Sequence, residues 1–469
     1  MALVAKIAMA LAVLLGPVAP RLVGVCLLLV GMWSVRLHPR KVLEMRWMDL
    51  LMALRVTWKH RDRPTLEREI GKCWGSEVMV TLSVRSGFDL LLEALALPKG
   101  SEVLFLPGIT IPGMVQIVEA HGLQPTGVDP PSPMRMMPPK LAPFVTDQTR
   151  ILVISHLFGT IHKVNGLIQE ARDLGILVVE DCAQSFLGCV PAAKRSMACA
   201  WPMGFRGHEA SDVTFSSFGN IKTLTALGGG VARVRDSKLK ARMQEIEATW
   251  PMRSRVQRAW TVFRAVLSKV FITPMVYGLL EATVTMLGLD FDRLIVTYVR
   301  GFAKLEYIHQ QPTLELLELL LWRLQSQEVA AFEDPSLYSS VSWRRKLANI
   351  IIDRLEPEGV EFVSKGDGAN AWWLLPILCD DPQKMAKELV GRGFDATSTT
   401  TQLQRVVASA TAKQGALKPS EGQDFMDRVV YLPLTPELNE ASAEALAEAV
   451  LGARKALERG EPVQKRSHA

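Results

Sequence analysis

The chain has 469 residues, 48% of them hydrophobic and 22% charged, which is too long for one ordinary domain and too apolar for a disordered chain. Its formal charge of +6 suits an anionic partner, but the basic residues lie beside apolar helices and no recognition motif appears, so nucleic-acid binding is set aside. The six cysteines form no CxxC pair and no metal-ligand spacing, so no metal is expected, and a reduced, cytosol-facing catalytic portion is the simplest reading.

Residues 1–35 hold two apolar stretches, 7–20 and 22–35, separated by Pro17, Pro20 and Arg21. Each is shorter than the roughly 20 residues that span a bilayer, so together they predict one kinked span or a hairpin dipping into one leaflet. A secretory signal is the rival, since Lys6 precedes an apolar run, but apolar character resumes after Arg21 without a clear small-x-small cleavage site. The basic cluster Arg36, Arg40, Lys41 and Arg46 follows, as positive-inside placement requires of a cytosolic continuation. The expected location is the cytoplasmic face of a membrane, with residues 1–40 as the anchoring segment.

From 65 to 235 short β-rich runs alternate with helical stretches. Strands are expected at 78–82, 102–106, 151–154, 176–180, 213–216 and 230–234, and helices at 88–96, 112–121 and 168–174. This alternation predicts an α/β fold with a mostly parallel sheet covered on both faces. Residues 250–305 break the rhythm: Trp260, Phe263, Val266, Leu267, Val270, Phe271 and Ile272 interleave with Arg253, Arg255, Arg258, Arg264 and Lys269. A basic, aromatic-rich amphipathic helix fits an anionic membrane interface; a core helix pair at a dimer interface is the alternative. Residues 314–350 predict a long helix leading into a smaller second domain with strands at 371–378 and 428–432 and helices at 382–392 and 441–456. The units are then 1–40, a large domain over 41–249, a helical insertion over 250–305, the connecting helix and small domain over 306–458, and a polar tail over 459–469.

Three short segments carry chemistry. The first is Ser216-Ser217-Phe218-Gly219-Asn220-Ile221-Lys222, followed by Gly228-Gly229-Gly230. A lysine on a turn between two strands can be held at the mouth of a sheet, where desolvation lowers its pKa and lets the amine form a Schiff base with an aldehyde cofactor. The second is Glu180-Asp181-Cys182-Ala183-Gln184 at the end of an apolar strand. A carboxylate there sits where open α/β sheets bind ligands and can keep a pyridine nitrogen protonated, although Asp181 would equally serve as a helix N-cap. The third is Ser83-Val84-Arg85-Ser86-Gly87-Phe88 before a helix, a turn whose free N–H groups suit a phosphate.

In order and spacing these segments resemble the DegT/DnrJ/EryC1/StrS sugar aminotransferases, a branch of the fold-type I pyridoxal-phosphate enzymes. The resemblance runs from about Leu66 to Val450 and includes Lys99-Gly100-Ser101-Glu102-Val103 before Pro107 and Thr110, His156-Leu157-Phe158-Gly159, and Tyr431-Leu432-Pro433-Leu434. It implies pyridoxal 5'-phosphate as cofactor, with Lys222 as its lysine and Asp181 as the partner of its ring nitrogen. It further implies Gln184 near the ring hydroxyl, and Ser217 with Ser86, Gly87 and Phe88 around the phosphate. Phe88 stands where the family usually has Thr or Ser, and Ile111 where it usually stacks an aromatic residue on the ring. The family's segment that reaches a partner subunit's phosphate is not recognisable.

The implied activity is transamination from an amino-acid donor, glutamate or glutamine, to a carbonyl acceptor. That acceptor is a keto-sugar nucleotide by resemblance, or a lipid-linked carbonyl compound given the apolar segments. A homodimer with active sites at the interface is also implied. Two other readings stay open: a sugar dehydratase, for which a histidine in place of Lys222 would be expected, and a catalytically inactive membrane scaffold.

Overall fold

A computed structural model of the chain describes residues 36–55, 61–186, 205–291, 294, 307–333, 339–365, 368–398, 403–406 and 426–460. The apolar stretches within 1–35 and the tail beyond 460 lie outside these residues.

The first nine strands are β1 (Met79–Thr81), β2 (Glu102–Leu106), β3 (Ile109–Thr110), β4 (Gln124–Gly127), β5 (Thr149–Ser155), β6 (Thr160–His162), β7 (Leu177–Asp181), β8 (Val213–Ser217) and β9 (Gly230–Val234). Seven of them form one sheet in the order β1-β9-β8-β7-β5-β2-β4. Every neighbouring pair is parallel except those made by β9, which runs antiparallel to both β8 and β1. The edge strand β4, Gln-Pro-Thr-Gly, was not among the expected strands because it has no apolar run. Its proline is tolerated because an edge strand bonds on one side only.

Strand periodicity divides the core. Val103, Phe105, Ile151, Val153 and Val179 pack on one face with Phe88, Leu91, Met114 and Ile117, while Leu104, Leu106, Leu152, Ile154 and Val178 pack on the other with Leu167 and Ile168. Successive strand residues point to opposite faces, so a sheet covered on both sides needs continuous apolar runs.

The helices are α1 (Trp47–Arg55), α2 (Arg63–Trp74), α3 (Val84–Leu95), α4 (Pro112–Ala120), α5 (Asn165–Asp173), α6 (Ser237–Ala248), α7 (Arg255–Phe271), α8 (Pro274–Met286), α9 (Leu314–Glu333), α10 (Ser339–Leu355), α11 (Pro382–Gly391) and α12 (Glu440–Glu458). The long helix expected over 314–350 is two helices with different allegiances. Leu316 to Leu324 of α9 pack with Leu66, Ile70, Trp74, Phe218 and Val231 in the large domain, whereas Leu347 to Leu355 of α10 pack with α11 and α12. That second core also holds Leu375 and Ile377 of β11 (Leu375–Leu378) and Val430 and Leu432 of β13 (Val429–Leu432), which pair antiparallel. Two small ladders join the parts of the chain: β10 (Gly368–Asn370) with β6, and β12 (Gln404–Arg405) with β3.

Within the basic cluster after residue 35, Arg36 and Arg46 are exposed, whereas Arg40 and Lys41 turn inward. Arg40 clamps Asp395 through Nε at 2.8 Å and Nη2 at 2.6 Å, and Lys41 donates to the Trp373 carbonyl. Leu37, Val42, Leu43 and Met45 are buried. Buried carboxylate and carbonyl partners drew these cations inward, so residues 36–46 belong to the folded body.

Candidate active site

The parallel strands place five loops on one edge of the sheet. The segments following β1, β2, β5, β7 and β8 contain Ser83 to Ser86, Ile111, His156 to Phe158, Asp181 to Gln184 and Ser217 to Lys222. Six strands pointing one way converge their C-terminal ends, and this is the edge at which open α/β sheets hold ligands.

Lys222 lies on the loop between β8 and β9. Phe218 organises that loop from its root: its N–H donates to Gly229 O at 3.0 Å, and its carbonyl accepts from Ala226 N at 3.0 Å and Gly228 N at 3.1 Å. Its ring is locked between Trp74 and Phe186. The Lys222 N–H closes a tight turn on Gly219 O at 3.0 Å. Burial lowers the Lys222 amine to a pKa of about 8, with the Asp181 charge opposing the shift. At that value about a tenth of the amine is neutral, and nucleophilic, at pH 7, far more than for an ordinary lysine.

Asp181 ends β7. Burial pushes its carboxyl above the usual range, while the Ala183 N–H, which donates to Oδ1 at 2.9 Å, and the Lys222 charge pull it back. The bond to Ala183 closes a turn rather than capping a helix, since residues 183–185 form a turn. Gln184 accepts from the Phe158 N–H at 2.6 Å, which ties the loop after β7 to the loop after β5. Beneath them His156 is fixed at both ring nitrogens: Nδ1 accepts from His162 N at 3.1 Å, so Nε2 is the protonated nitrogen and donates to Glu180 at 3.0 Å. Glu180 also accepts from Ser211 Oγ at 2.8 Å and from His208 N, and these bonds together hold its carboxyl below the ordinary value against desolvation.

The turn after β1 differs from expectation. Helix α3 starts at Val84 with Ser83 as N-cap, four residues earlier than the pattern suggests, because Ser83 Oγ accepts from Ser86 N at 3.1 Å. Gly87 N bonds to Ser83 O at 3.0 Å, so the Gly87 N–H is committed to the first helical turn, and an anion at this end of α3 would meet the start of the helix rather than Gly87. Phe88 is fully buried with its ring edge-on to Phe215, which places its side chain in the core and away from the loop edge. Ser86 is buried with its hydroxyl 3.0 Å from Ser83 Oγ. Ser217 is half-buried at the end of β8. Ile111 is the half-buried N-cap of α4, packed against the core on the same face as Phe88. A Cβ on Gly230 would lie 2.7 Å from Ser83 C and Val84 N, so the glycine run lets β9 press directly against this turn.

Several residues that the sequence did not single out surround the lysine. Trp373, in the crossing segment before β11, has its ring centroid 4.3 Å from Lys222 Nζ and 4.2 Å from Lys41 Nζ, and its Nε1 donates to Ile221 O at 3.2 Å. Three buried arginines brace the loop beyond Lys222. Arg344 donates to Thr223 Oγ1 at 3.2 Å, Arg323 to Thr225 O at 3.1 Å, and Arg258 to Ala226 O at 3.3 Å. Arg344 is paired bidentately with Glu44 at 2.7 Å, and Arg323 with Asp49. The tandem Trp372-Trp373 was a visible signal; Lys41, Glu44 and Asp49 gave none, being distant in sequence from every motif.

Residues 56–264 match the family model described as the DegT/DnrJ/EryC1/StrS aminotransferase family. The match takes in the large domain from the residues before α2 into α7. It is 30% identical over 160 residues to the GDP-perosamine synthase of Caulobacter vibrioides, covering 34% of this chain and 40% of that protein. It is 29% identical over 164 residues to the L-glutamine:2-deoxy-scyllo-inosose aminotransferase of Streptomyces fradiae, covering 35% and 36%. The matches thus span about two fifths or less of these relatives' own length. NtdA of Bacillus subtilis, solved with bound cofactor PMP, superposes with a TM-score of 0.57 at 16% identity over 88% of this chain and 83% of that one. That likeness establishes the α/β fold of the fold-type I pyridoxal-phosphate enzymes, with its large and small parts.

The residues present fit such a cofactor. A loop-edge amine of lowered pKa suits an aldehyde, and a desolvated carboxyl charge-coupled to it suits a pyridinium nitrogen. A helix start pressed against a glycine run suits a phosphate.

Proposed function

We propose that this protein is a pyridoxal-phosphate aminotransferase that takes the amino group of glutamate or glutamine and transfers it to a carbonyl carbon of a sugar-class acceptor. The observation that carries the reading is the Lys222 amine, brought to a pKa of about 8 on the C-terminal edge of the sheet and coupled to Asp181. When bound, the cofactor supplies an aldehyde and an electron-withdrawing ring.

The chain's own groups divide the remaining work. Asp181 holds a proton on the ring nitrogen through a charge-assisted hydrogen bond. Lys222 would serve as the general base toward the donor's α-carbon proton and then as the general acid that gives the proton back. Ser217 and the N-terminal turn of α3 would hold the phosphate. Ile111 offers an apolar contact to the ring. Trp373 and the three buried arginines keep the lysine loop in one conformation.

The sugar-class acceptor and the glutamine-type donor draw support from the two named relatives, one a perosamine synthase and one a glutamine-dependent inosose aminotransferase. The retained Lys222 favours transamination over dehydration. The deciding experiment adds pyridoxal phosphate to purified protein and follows the absorption of the lysine-linked cofactor. It is expected in the wild type, absent in Lys222→Ala, and converted by glutamate or glutamine to the absorption of the aminated form. Wild-type protein that takes up no cofactor would establish the inactive scaffold instead.

A further inference from the structure

Outside the candidate active site, one surface combines features that the core does not explain. Helix α7 buries Arg258, Val262 and Ala265 and turns Val256, Trp260, Phe263, Leu267, Val270 and Phe271 outward, with Val256 79% and Trp260 58% exposed. Helix α1, which packs against α7, exposes Trp47, Met48, Leu51 and Leu54 while burying Asp49, Leu50 and Ala53. Helix α8 turns away from α7 by 91° and exposes Leu279, Leu280 and, at 82%, Met286. No single described helix is long and apolar enough to cross a membrane. The outward residues of α7 recur at the four-and-three spacing of one helical face, so they form a stripe along it.

Charge is distributed unequally on this face. The three helices contain two carboxylates, Asp49 and Glu281, and both are buried. Of their cations only Arg258 is buried: Arg55 and Arg255 are exposed, and Arg264 and Lys269 are half-buried, with Arg255 paired to Glu315 and Lys269 to Glu437 from outside the three helices. An exposed apolar stripe with bulky aromatic residues and a cationic margin is the pattern of a helix lying in the interface of an anionic bilayer.

The chain's own direction supplies a second argument. Leu37 N donates to Pro274 O at 3.0 Å, and the Leu37 side chain packs with Tyr277, Val284 and Phe291. The described chain therefore begins beside this face at the start of α8, and the 35 residues that precede it in sequence are almost wholly apolar.

We propose that α1, α7 and α8 form a docking face for an anionic lipid bilayer, with their apolar side chains seated among the headgroups and upper acyl chains. The face backs directly onto the lysine loop. Arg258 of α7 bonds to the carbonyls of Ala226 and Leu227, and Asp49 of α1 holds the Arg323 that bonds to Thr225. A docked protein therefore has its lysine loop braced from the membrane side. The proposal stands on surface chemistry alone and does not require the aminotransferase reading.

The test reconstitutes full-length protein into vesicles of phosphatidylcholine, or of equal parts phosphatidylcholine and phosphatidylglycerol, carrying a fraction of acyl-brominated lipid. Tryptophan quenching is then compared between the wild type and W47F/W260F. The expected result is quenching in the wild type that deepens with phosphatidylglycerol, and loss of that lipid-dependent part in the double variant, whose conservative changes preserve the fold. Equal quenching in both proteins would overturn the proposal, since residues 1–35 alone would then account for it. So would Trp47 and Trp260 protected at high protein concentration and exposed on dilution, which would assign the face to a second copy of the chain. A companion variant, F263E/L267E, is expected to lose the phosphatidylglycerol-dependent quenching while binding pyridoxal phosphate in detergent as the wild type does.

Discussion

The Nζ of Lys222 sits 4.3 Å from the centre of the Trp373 ring, and the same indole donates from Nε1 to the carbonyl of Ile221, one residue before the lysine. One side chain thus fixes both the amine and the backbone that carries it. Trp373→Phe keeps a ring beside the amine but leaves the Ile221 carbonyl without this donor. A net hydrogen bond is worth about 1 kcal/mol, so cofactor retention is expected to weaken roughly fivefold, measured by equilibrium dialysis.

Uptake of pyridoxal phosphate should rise with pH and level off above about 8, the pKa to which burial brings Lys222, because only the neutral amine attacks an aldehyde. The Asp181 charge raises that pKa. Asp181→Asn removes the anion that favours the ammonium form, so the midpoint is expected to move below 8. The same variant should fail to convert bound cofactor with an amino donor. A midpoint that stays put or moves upward in Asp181→Asn would remove the electrostatic coupling from the account.

Asp49, itself fully buried, accepts from Arg46 N at 2.9 Å and Trp322 Nε1 at 3.2 Å and pairs with the buried Arg323. Asp49→Asn leaves the buried Arg323 cation uncompensated, a change that costs about 3–5 kcal/mol. Arg323 also holds the Thr225 carbonyl, so the melting temperature and the cofactor affinity should fall together. Recovery of the melting temperature, but not of the cofactor affinity, by Arg323→Met in the Asp49→Asn background would show that the unpaired charge caused the loss of stability.

Gly230→Ala forces a Cβ to within 2.7 Å of the Ser83–Val84 peptide. The atoms met are backbone, so relief requires moving the start of α3, at a cost of about 1–3 kcal/mol. The variant is expected to lose affinity for pyridoxal phosphate more than for a cofactor analogue lacking the phosphate, as titrations with both would reveal.

Much of the site was legible before any coordinates. Lys222, Asp181, Gln184 and Ser217 lie on short contiguous motifs whose spacing reflects one strand end and its loop, and all four fall on the C-terminal edge of the sheet. Arg40 and Lys41 look like a solvated basic run, yet Asp395 and the Trp373 carbonyl, more than 300 residues away in the chain, draw them inside. The start of α3 was placed late because the run of apolar residues begins at Phe88, whereas the Ser83 cap fixes the first turn.

By itself the sequence determined the parallel α/β body, the placement of Lys222 and Asp181 at strand ends, and the family resemblance, because these depend on local periodicity and on motifs held within single loops. Only the tertiary structure decided what surrounds Lys222. The indole comes from the small domain, the three arginines from α7, α9 and α10, and their carboxylate partners from residues 44 and 49. Such neighbours are selected by burial and charge pairing across long stretches of chain. The same holds for the outward apolar face of α1 and α7, whose periodicity is in the sequence but whose exposure is set by which side the core leaves uncovered.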